Sequence, residues 1–395
     1  MAYKSSTKNP TVFKVRLYPT ADQLVMFQKT AGCCRKVYND FLDRKIKDYQ
    51  FFKDTGVKKP RPSLTKYKSV YEFMKEVDST ALQQSLINLD RAYENFFKHG
   101  RGFPRFKKKG SHESFRCVQH NRIEDSSIKI GKLGFIKFRG LSDQCPEGIK
   151  IKSVTVSRSS DNNWYASILV DLDTSIYDHA HRHESCGIDL GVKKPLTVYH
   201  NSSGKGVGKF FGRKFSEDLK EKEKKRKKYQ RQYARRQKGS KNQQKAKLKV
   251  GKAYFREAQF RKNYIEQISK KLAFTFQVVC MEDLNIKGMT KAVKRTLDGS
   301  PRKSVAAKSG LNREMMRLGL SNLISRIQHK TKRYGGSLIL VDPKYTSQTC
   351  PECGTIDKAN RKSQAVFLCV SCGHTDNADI NAARNILHKG LLSLQ

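Results

Sequence analysis

Two cysteine knuckles near the C-terminal end, Cys350-Pro-Glu-Cys353 and Cys369-Val-Ser-Cys372, constrain this chain more than any other feature; fifteen residues separate them. Each knuckle offers two thiolates, and two knuckles at this distance close a four-sulfur tetrahedron of the kind zinc prefers. Such a shell leaves no open position for a substrate, so the zinc it holds is structural. Gly354 and Gly373 each follow a knuckle's second cysteine, where the turn favours a residue without Cβ. The other six cysteines have no paired spacing and are expected as buried free thiols. Met1 to Pro10 is polar, without the apolar core of a signal peptide, and no stretch approaches the roughly 18 apolar residues of a membrane span. A reducing compartment and no membrane partner are therefore expected.

Charge narrows the partners. Eighty Lys and Arg against 36 Asp and Glu leave +44. A folded chain so charged repels itself unless a polyanion neutralises it, which points to nucleic acid ahead of a merely solubilising surface or a membrane surface. Hydrophobic residues at 37% are enough for folded cores. Seven of the nine residues from Lys220 to Lys228, Arg226 among them, are basic. The stretch Lys220–Lys262 reads as a phosphate-tracking surface, with Tyr229 and Tyr233 one helical turn apart on one face. A solvated charged helix that touches nothing is the competing reading.

Periodicity orders the rest. Val12–Leu17 alternates like a strand, and residues 20 to 98 read as a helical block with apolar positions at Leu24, Phe27, Val37, Phe41 and Leu42. Phe103-Pro-Arg-Phe-Lys-Lys-Lys109 is basic and irregular. The runs Ser127–Ile130, Phe135–Phe138, Ile149–Val156 and Trp164–Val170 suit a small antiparallel barrel, with Val12–Leu17 as an extra member. Then come strands Cys186–Leu190, Leu196–Tyr199 and Gly208–Phe211, one long helix from about Ser216 to Ala273, and a buried strand Phe276–Glu282. A polar, mobile stretch from Lys287 to Gly310, a helix Asn312–Tyr334, strand Ser337–Val341, the cysteine segment and a closing helix complete the chain. Three strands, helix, strand, helix, strand, helix is the order of an RNase H-like fold.

Within that order three acids stand out. Asp189 and Glu282 each end an apolar strand, where a carboxylate is costly unless a cation holds it. Asp379 opens the last helix, where an acid could equally be an N-terminal cap. Three carboxylates converging from two strands and a helix can hold two Mg²⁺ ions for phosphodiester hydrolysis. Asp283 and Asp376 compete for these roles; alternation turns Asp283 away from Glu282, and Asp376 reads as a turn residue after the ribbon.

These residues together resemble the TnpB family, transposon-encoded RNA-guided nucleases related to the type V CRISPR effectors. Gly187-Ile-Asp-Leu-Gly-Val-Lys-Lys-Pro195 is similar to their first RuvC motif, and Val278-Val-Cys-Met-Glu-Asp-Leu-Asn-Ile-Lys-Gly-Met289 to the second. Asn377-Ala-Asp-Ile-Asn-Ala-Ala-Arg-Asn-Ile-Leu387 is similar to the third, and Val341-Asp-Pro-Lys-Tyr-Thr-Ser-Gln-Thr-Cys-Pro-Glu-Cys-Gly354 to the ribbon entry. Leu17-Tyr-Pro-Thr, Pro104-Arg-Phe-Lys-Lys-Lys and Ser114-Phe-Arg extend the likeness over nearly the whole chain. One departure is Asp376-Asn-Ala-Asp379, where many relatives carry Asp-Arg-Asp.

The resemblance implies a multidomain α+β protein. It would comprise a wedge β-barrel (1–19 and 99–178), an inserted helical recognition domain (20–98), a RuvC RNase H-like domain (179–341 and 376–395) and a zinc ribbon (342–375). It implies Asp189, Glu282 and Asp379 as the catalytic, magnesium-binding triad, and Cys350, Cys353, Cys369 and Cys372 as ligands of structural zinc. Its implied partners are a guide RNA from the transposon end and a double-stranded DNA target beside a short flanking motif. Gln83, Gln84, Arg105, Lys107, Lys108, Arg226, Tyr229 and Tyr233 are the expected nucleic-acid contacts. The chain is expected to act as a monomer in the cytoplasm, bacterial or phage-borne and nucleoid-associated, or in the nucleus if it comes from a eukaryotic relative, where Lys224–Lys228 could be a localisation signal. The competing function is a nucleic-acid-binding transposase or transposition regulator without guide RNA.

Overall fold

The computed structural model describes residues 8–60, 62–110, 113–141, 148–173, 183–202, 205–291 and 305–394. The chain divides into two compact units, Met1–Asp173 and Thr174–Gln395.

In the first unit β1 (Lys8–Tyr18) runs into α1 (Ala21–Thr55), followed by α2 (Leu64–Val70) and α3 (Ser79–His99). A reciprocal cap starts α1: the Thr20 hydroxyl accepts from Gln23 N–H, and the Gln23 amide oxygen accepts from Thr20 N–H. Gly56, at φ 68°, ends it. Six short strands follow: β2 (Ser114–Cys117), β3 (Arg122–Glu124), β4 (Ser127–Lys129), β5 (Phe135–Arg139), β6 (Ile151–Arg158) and β7 (Trp164–Asp173). They form an antiparallel sheet in the order β2-β6-β7-β1-β5-β4-β3. So β1 is the middle strand of seven rather than an accessory one, and β2 and β3, which periodicity missed, form the edges. The expected barrel is not closed by any β2–β3 pairing among the described residues. Phe27 of α1 packs edge-on against Phe115 and Trp164 of the sheet, within a core that also takes Val37, Leu42, Leu82 and Ile168.

The second unit is built on β8 (His183–Asp189), β9 (Leu196–Ser202) and β10 (Lys205–Phe211), then the helices α4 (Arg213–Ala234) and α5 (Lys241–Thr275), then β11 (Phe276–Glu282) and the short α6 (Ile286–Met289). Next come α7 (Val305–Leu318), α8 (Leu320–Arg333), β12 (Ser337–Val341), the ribbon hairpin β13 (Val366–Leu368) and β14 (Thr375–Asn377), and α9 (Ala378–Leu392). The central sheet runs β10-β9-β8-β11-β12, antiparallel through β8 and parallel from β8 to β12.

Two expected helices are each a pair. The long basic helix breaks between Ala234 and Lys241, a turn that includes Gly239 at φ 83°, and α4 and α5 pack together. The second break is Gly319, at φ 73°, between α7 and α8. Both turns lie in runs so polar or so helix-favouring that the hydrophobic period gives no sign of them. The polar stretch expected to be mobile falls largely on residues 292–304, outside the described residues, as does Cys145; the five other non-knuckle cysteines are buried as expected.

The sheet is covered on both faces, and alternation sorts its residues between them. Cys186 and Ile188 of β8, with Val279 and Met281 of β11, pack with Ile265, Ile268 and Leu272 of α5 and Leu323 and Ile327 of α8. The intervening Cys280 packs with Ala383, Ile386 and Leu387 of α9.

Candidate active site and metal centre

Register places the first two acids. β8 and β11 are parallel with Ile188 opposite Met281, so Asp189 and Glu282 leave the same ends of adjacent strands. Each lies two residues beyond a position that touches α9. A Cβ on Gly187 would sit 2.0 Å from the Ala383 carbonyl, and one on Gly390 would sit 2.3 Å from Cys280 Sγ. By the period of two, both acids therefore point to the face that α9 covers. Asp379 lies in the first turn of that helix. It is not the cap: Asn377 holds that position, its side chain accepting from Asp379 N–H at 3.1 Å.

Electrostatics agree with the convergence. Burial, then the nearby charges of Glu282 and Asp379, push the Asp189 carboxyl up to about 7, partly opposed by Arg361. Burial also raises Glu282, against the Thr346 hydroxyl, Lys389 and Arg361. The Thr346 hydroxyl donates to Glu282 Oε1 at 2.6 Å. Lys194 Nζ is 3.4 Å from Asp379 Oδ2, and the Arg361 guanidinium 3.8 Å from Oδ1. Of the competitors, Asp283 is exposed, and Asp376 lies in β14 rather than in a turn and accepts from Asn377 N–H at 2.6 Å. Sequence reasoning missed the roles of Thr346, Lys194 and Arg361, which come from two loops and the middle of the ribbon; the first two lie within motif segments, but nothing local tied them to the acids.

The four cysteines gather more tightly. Among the described residues theirs is the only set of three or more candidate ligands whose donor atoms all lie within 4.8 Å of one another, so the carboxylates are spaced more widely. Cys350 Sγ is 3.6 Å from Cys372 Sγ, and Cys353 Sγ 3.6 Å from Cys369 Sγ. Bonds of about 2.3 Å to a tetrahedral zinc put sulfurs roughly 3.8 Å apart, so the cluster fits that ion. The two knuckles repeat one backbone pattern. Cys350 N–H donates to Thr355 O and Gly354 N–H to Cys350 O; Cys369 N–H donates to His374 O and Gly373 N–H to Cys369 O. Gly354 and Gly373 are left-handed, at φ 75° and 73°.

The expected nucleic-acid contacts divide. Tyr229 lines a groove of about 260 Å³ with Lys222, Lys225, Lys249, Lys252 and Arg256, drawn from both α4 and α5; Tyr233 is half-buried outside it. Arg226 is committed elsewhere: its guanidinium pairs with Glu257 at 2.7 Å and bonds Gln230 and Tyr254, clamping α4 to α5. In the first unit Gln83 is exposed, and Gln84 lines a cleft of about 190 Å³ with Asn88, Lys107 and Arg116. Lys107 exchanges backbone bonds with the Asn39 amide and lays its ammonium 3.9 Å from the Tyr38 ring centroid. Arg105 and Lys108 are exposed.

Three family models match: "Helix-turn-helix domain" over residues 11–53, "Probable transposase" over 167–293 and "Cas12f1-like, TNB domain" over 321–386. The first falls on β1 and one unbroken helix, so its name does not describe the local structure here. An Escherichia coli (strain K12) protein named "Putative RNA-guided DNA endonuclease InsQ" is 35% identical over 97% of this chain and 93% of its own. The chain belongs to the TnpB family. A second relative, "Putative RNA-guided DNA endonuclease" of Streptomyces pristinaespiralis, is 29% identical over 96% of this chain and 89% of its own. The fold is that of a solved Cas12f1–sgRNA–target DNA complex, with a TM-score of 0.55 at 15% identity, over 96% of this chain and 98% of that one. In this TnpB chain all three motif acids are present. No described helix is long and apolar enough to cross a membrane.

Proposed function

We propose that this chain is a transposon-encoded RNA-guided DNA endonuclease, cutting target DNA beside a short flanking motif by RuvC-type, magnesium-dependent hydrolysis. The observation that carries the proposal is the register of β8 on β11, which brings two strand-end acids to the face where α9 presents a third. Asp189, Glu282 and Asp379 offer only hard oxygen donors, and the burial of Asp189 beside the charges of Glu282 and Asp379 favours a cation there. Magnesium bound there would activate the attacking water and neutralise charge on the leaving 3′-oxygen. The protein's own part is to fix the three carboxylates on rigid elements and to place Lys194 and Arg361 beside them, where a phosphodiester's negative charge would arrive. The four-cysteine cluster would hold one structural zinc.

Target choice would rest with RNA. The α4–α5 groove offers five cations and one aromatic ring, a grip on a sugar-phosphate backbone that carries no base information. Pairing with a guide can specify a long site, while helix α3, through Gln83 and Gln84, would read a few flanking base pairs. The names of the relatives favour this over a transposase or regulator without guide RNA. The test is plasmid cleavage with protein co-expressed with its own locus. Exchanging the terminal guide segment of the co-purified RNA should move the cut to the new matching site beside the same motif. A cut that stays put, or the same site preference from RNA-free protein, would refute it.

A further inference from the structure

We infer that Thr346 is the positioning residue of Glu282, held in place by two asparagines of α9, so that the ribbon's entry loop sets the geometry of the catalytic carboxylate. The inference rests on the endonuclease reading and deepens it. Thr346 is buried, and its hydroxyl lies 2.6 Å from Glu282 Oε1 and 3.0 Å from the Pro343 carbonyl. One hydroxyl proton serves one acceptor at a time, and an ionised carboxylate is the stronger of the two. The bond fixes the rotation of the Glu282 carboxylate and leaves Oε2 for a metal ion.

The loop is over-determined, as a positioning element should be. Tyr345, immediately before it, sits at φ 62°, a left-handed conformation that a residue with an aromatic side chain seldom takes without support. The support comes from α9: buried Asn385 donates from Nδ2 to both the Thr346 and Thr349 carbonyls at 2.8 Å, and buried Asn381 donates to the Thr349 carbonyl at 3.1 Å. On the ribbon side Asn360, fully buried, donates to Gln348 O at 2.9 Å, and Cys350 lies two residues further on. The asparagines of the Asn381-Ala-Ala-Arg-Asn385 run thus have a task that the catalytic acids do not explain. They bolt the ribbon entry to the helix that carries Asp379.

The test compares Thr346→Val, Thr346→Ser and Glu282→Gln in guide-loaded protein. Valine keeps the shape and removes the donor; serine keeps the donor. Thr346→Val should raise the Mg²⁺ concentration for half-maximal cleavage about tenfold and lower kcat about 10- to 100-fold, with KM for DNA unchanged. Thr346→Ser should stay within about threefold of wild type. Mn²⁺ titrated into the same complexes and followed by electron paramagnetic resonance should bind about tenfold more weakly to Thr346→Val, at unchanged zinc content. Normal Mn²⁺ affinity in Thr346→Val, or serine as defective as valine, would overturn the positioning role. Glu282→Gln separates the two claims: if it cleaves like wild type, the endonuclease site is misassigned. If it is inactive while Thr346→Val is normal, only the positioning inference fails.

Discussion

The second unit holds two ligand sets built in opposite ways. The four sulfurs come from 23 consecutive residues, Cys350 to Cys372, and two backbone turns, bridged by buried Asn360 between Gln348 O and Val370 N–H, gather them within 4.8 Å. The three carboxylates come from positions 189, 282 and 379, and only the pairing of β8 with β11 and the seating of α9 bring them to one face. Under the proposed function the first set would be a local device that contributes stability, and the second a tertiary one that buries Asp189 beside like charges. On the proposed reading the two sets would put metals to opposite uses on a single scaffold, and the difference can be tested.

The largest effect is expected at the tertiary site. Asp189→Ala, Glu282→Gln and Asp379→Ala should each lower DNA cleavage by about a thousandfold or more, with guide and target binding retained in a filter or gel-shift assay. An active Asp379→Ala beside an inactive Asp376→Ala would move the third acid to the wrong side of Asn377.

Next comes the local site. Cys350→Ser should lose about one zinc per chain by elemental analysis and destabilise the ribbon by several kcal/mol, since structural zinc contributes folding free energy directly. Its cleavage should fall as well, because the entry loop joins Glu282 to the knuckle. Wild-type protein without zinc would break the comparison at its firmer end.

Gly187→Ala probes the packing that joins the acids. A methyl 2.0 Å from the Ala383 carbonyl must displace α9, at about 1–3 kcal/mol of stability. A shift of about 1 Å in Asp379 should then cost roughly a hundredfold in kcat. A variant with normal stability and cleavage would mean that α9 does not seat on β8 as described.

The smallest effect has the opposite sign. The ordinary Asp value of 3.8 is raised to about 7 at Asp189, so its penalty to folding is absent below about pH 4, grows with pH and is complete above about 7. In magnesium-free buffer without chelator, Asp189→Asn should therefore raise Tm by a few degrees at pH 8, from at most about 4 kcal/mol, and by nearly nothing near pH 4. A Tm that falls at pH 8 would show ionised Asp189 to be stabilising and not penalised by burial and its charged neighbours.

Legibility followed sequence distance. The knuckles with their glycines and the strands ending in Asp189 and Glu282 follow from patterns within a few residues. The turns at Gly239 and Gly319, the edge strands β2 and β3 and the central place of β1 did not. A polar helical hairpin has no apolar period to interrupt, and sheet order depends on partners far away in the chain. Arg226 makes the same point for side chains: composition marked it as a phosphate contact, yet tertiary pairing with Glu257 occupies its charge.

By itself the sequence determined which chemistry was available: four thiolates at knuckle spacing, acids at the ends of apolar strands, and a positive excess suited to a polyanion. Those are properties of neighbouring residues, set by backbone turns, period-two alternation and net charge. Only the tertiary structure decided which acids meet, that Asn377 and not Asp379 caps α9, and that Thr346, Lys194 and Arg361 join them. Strand register and helix seating are settled by burying surface contributed from all along the chain, and no local pattern encodes that sum.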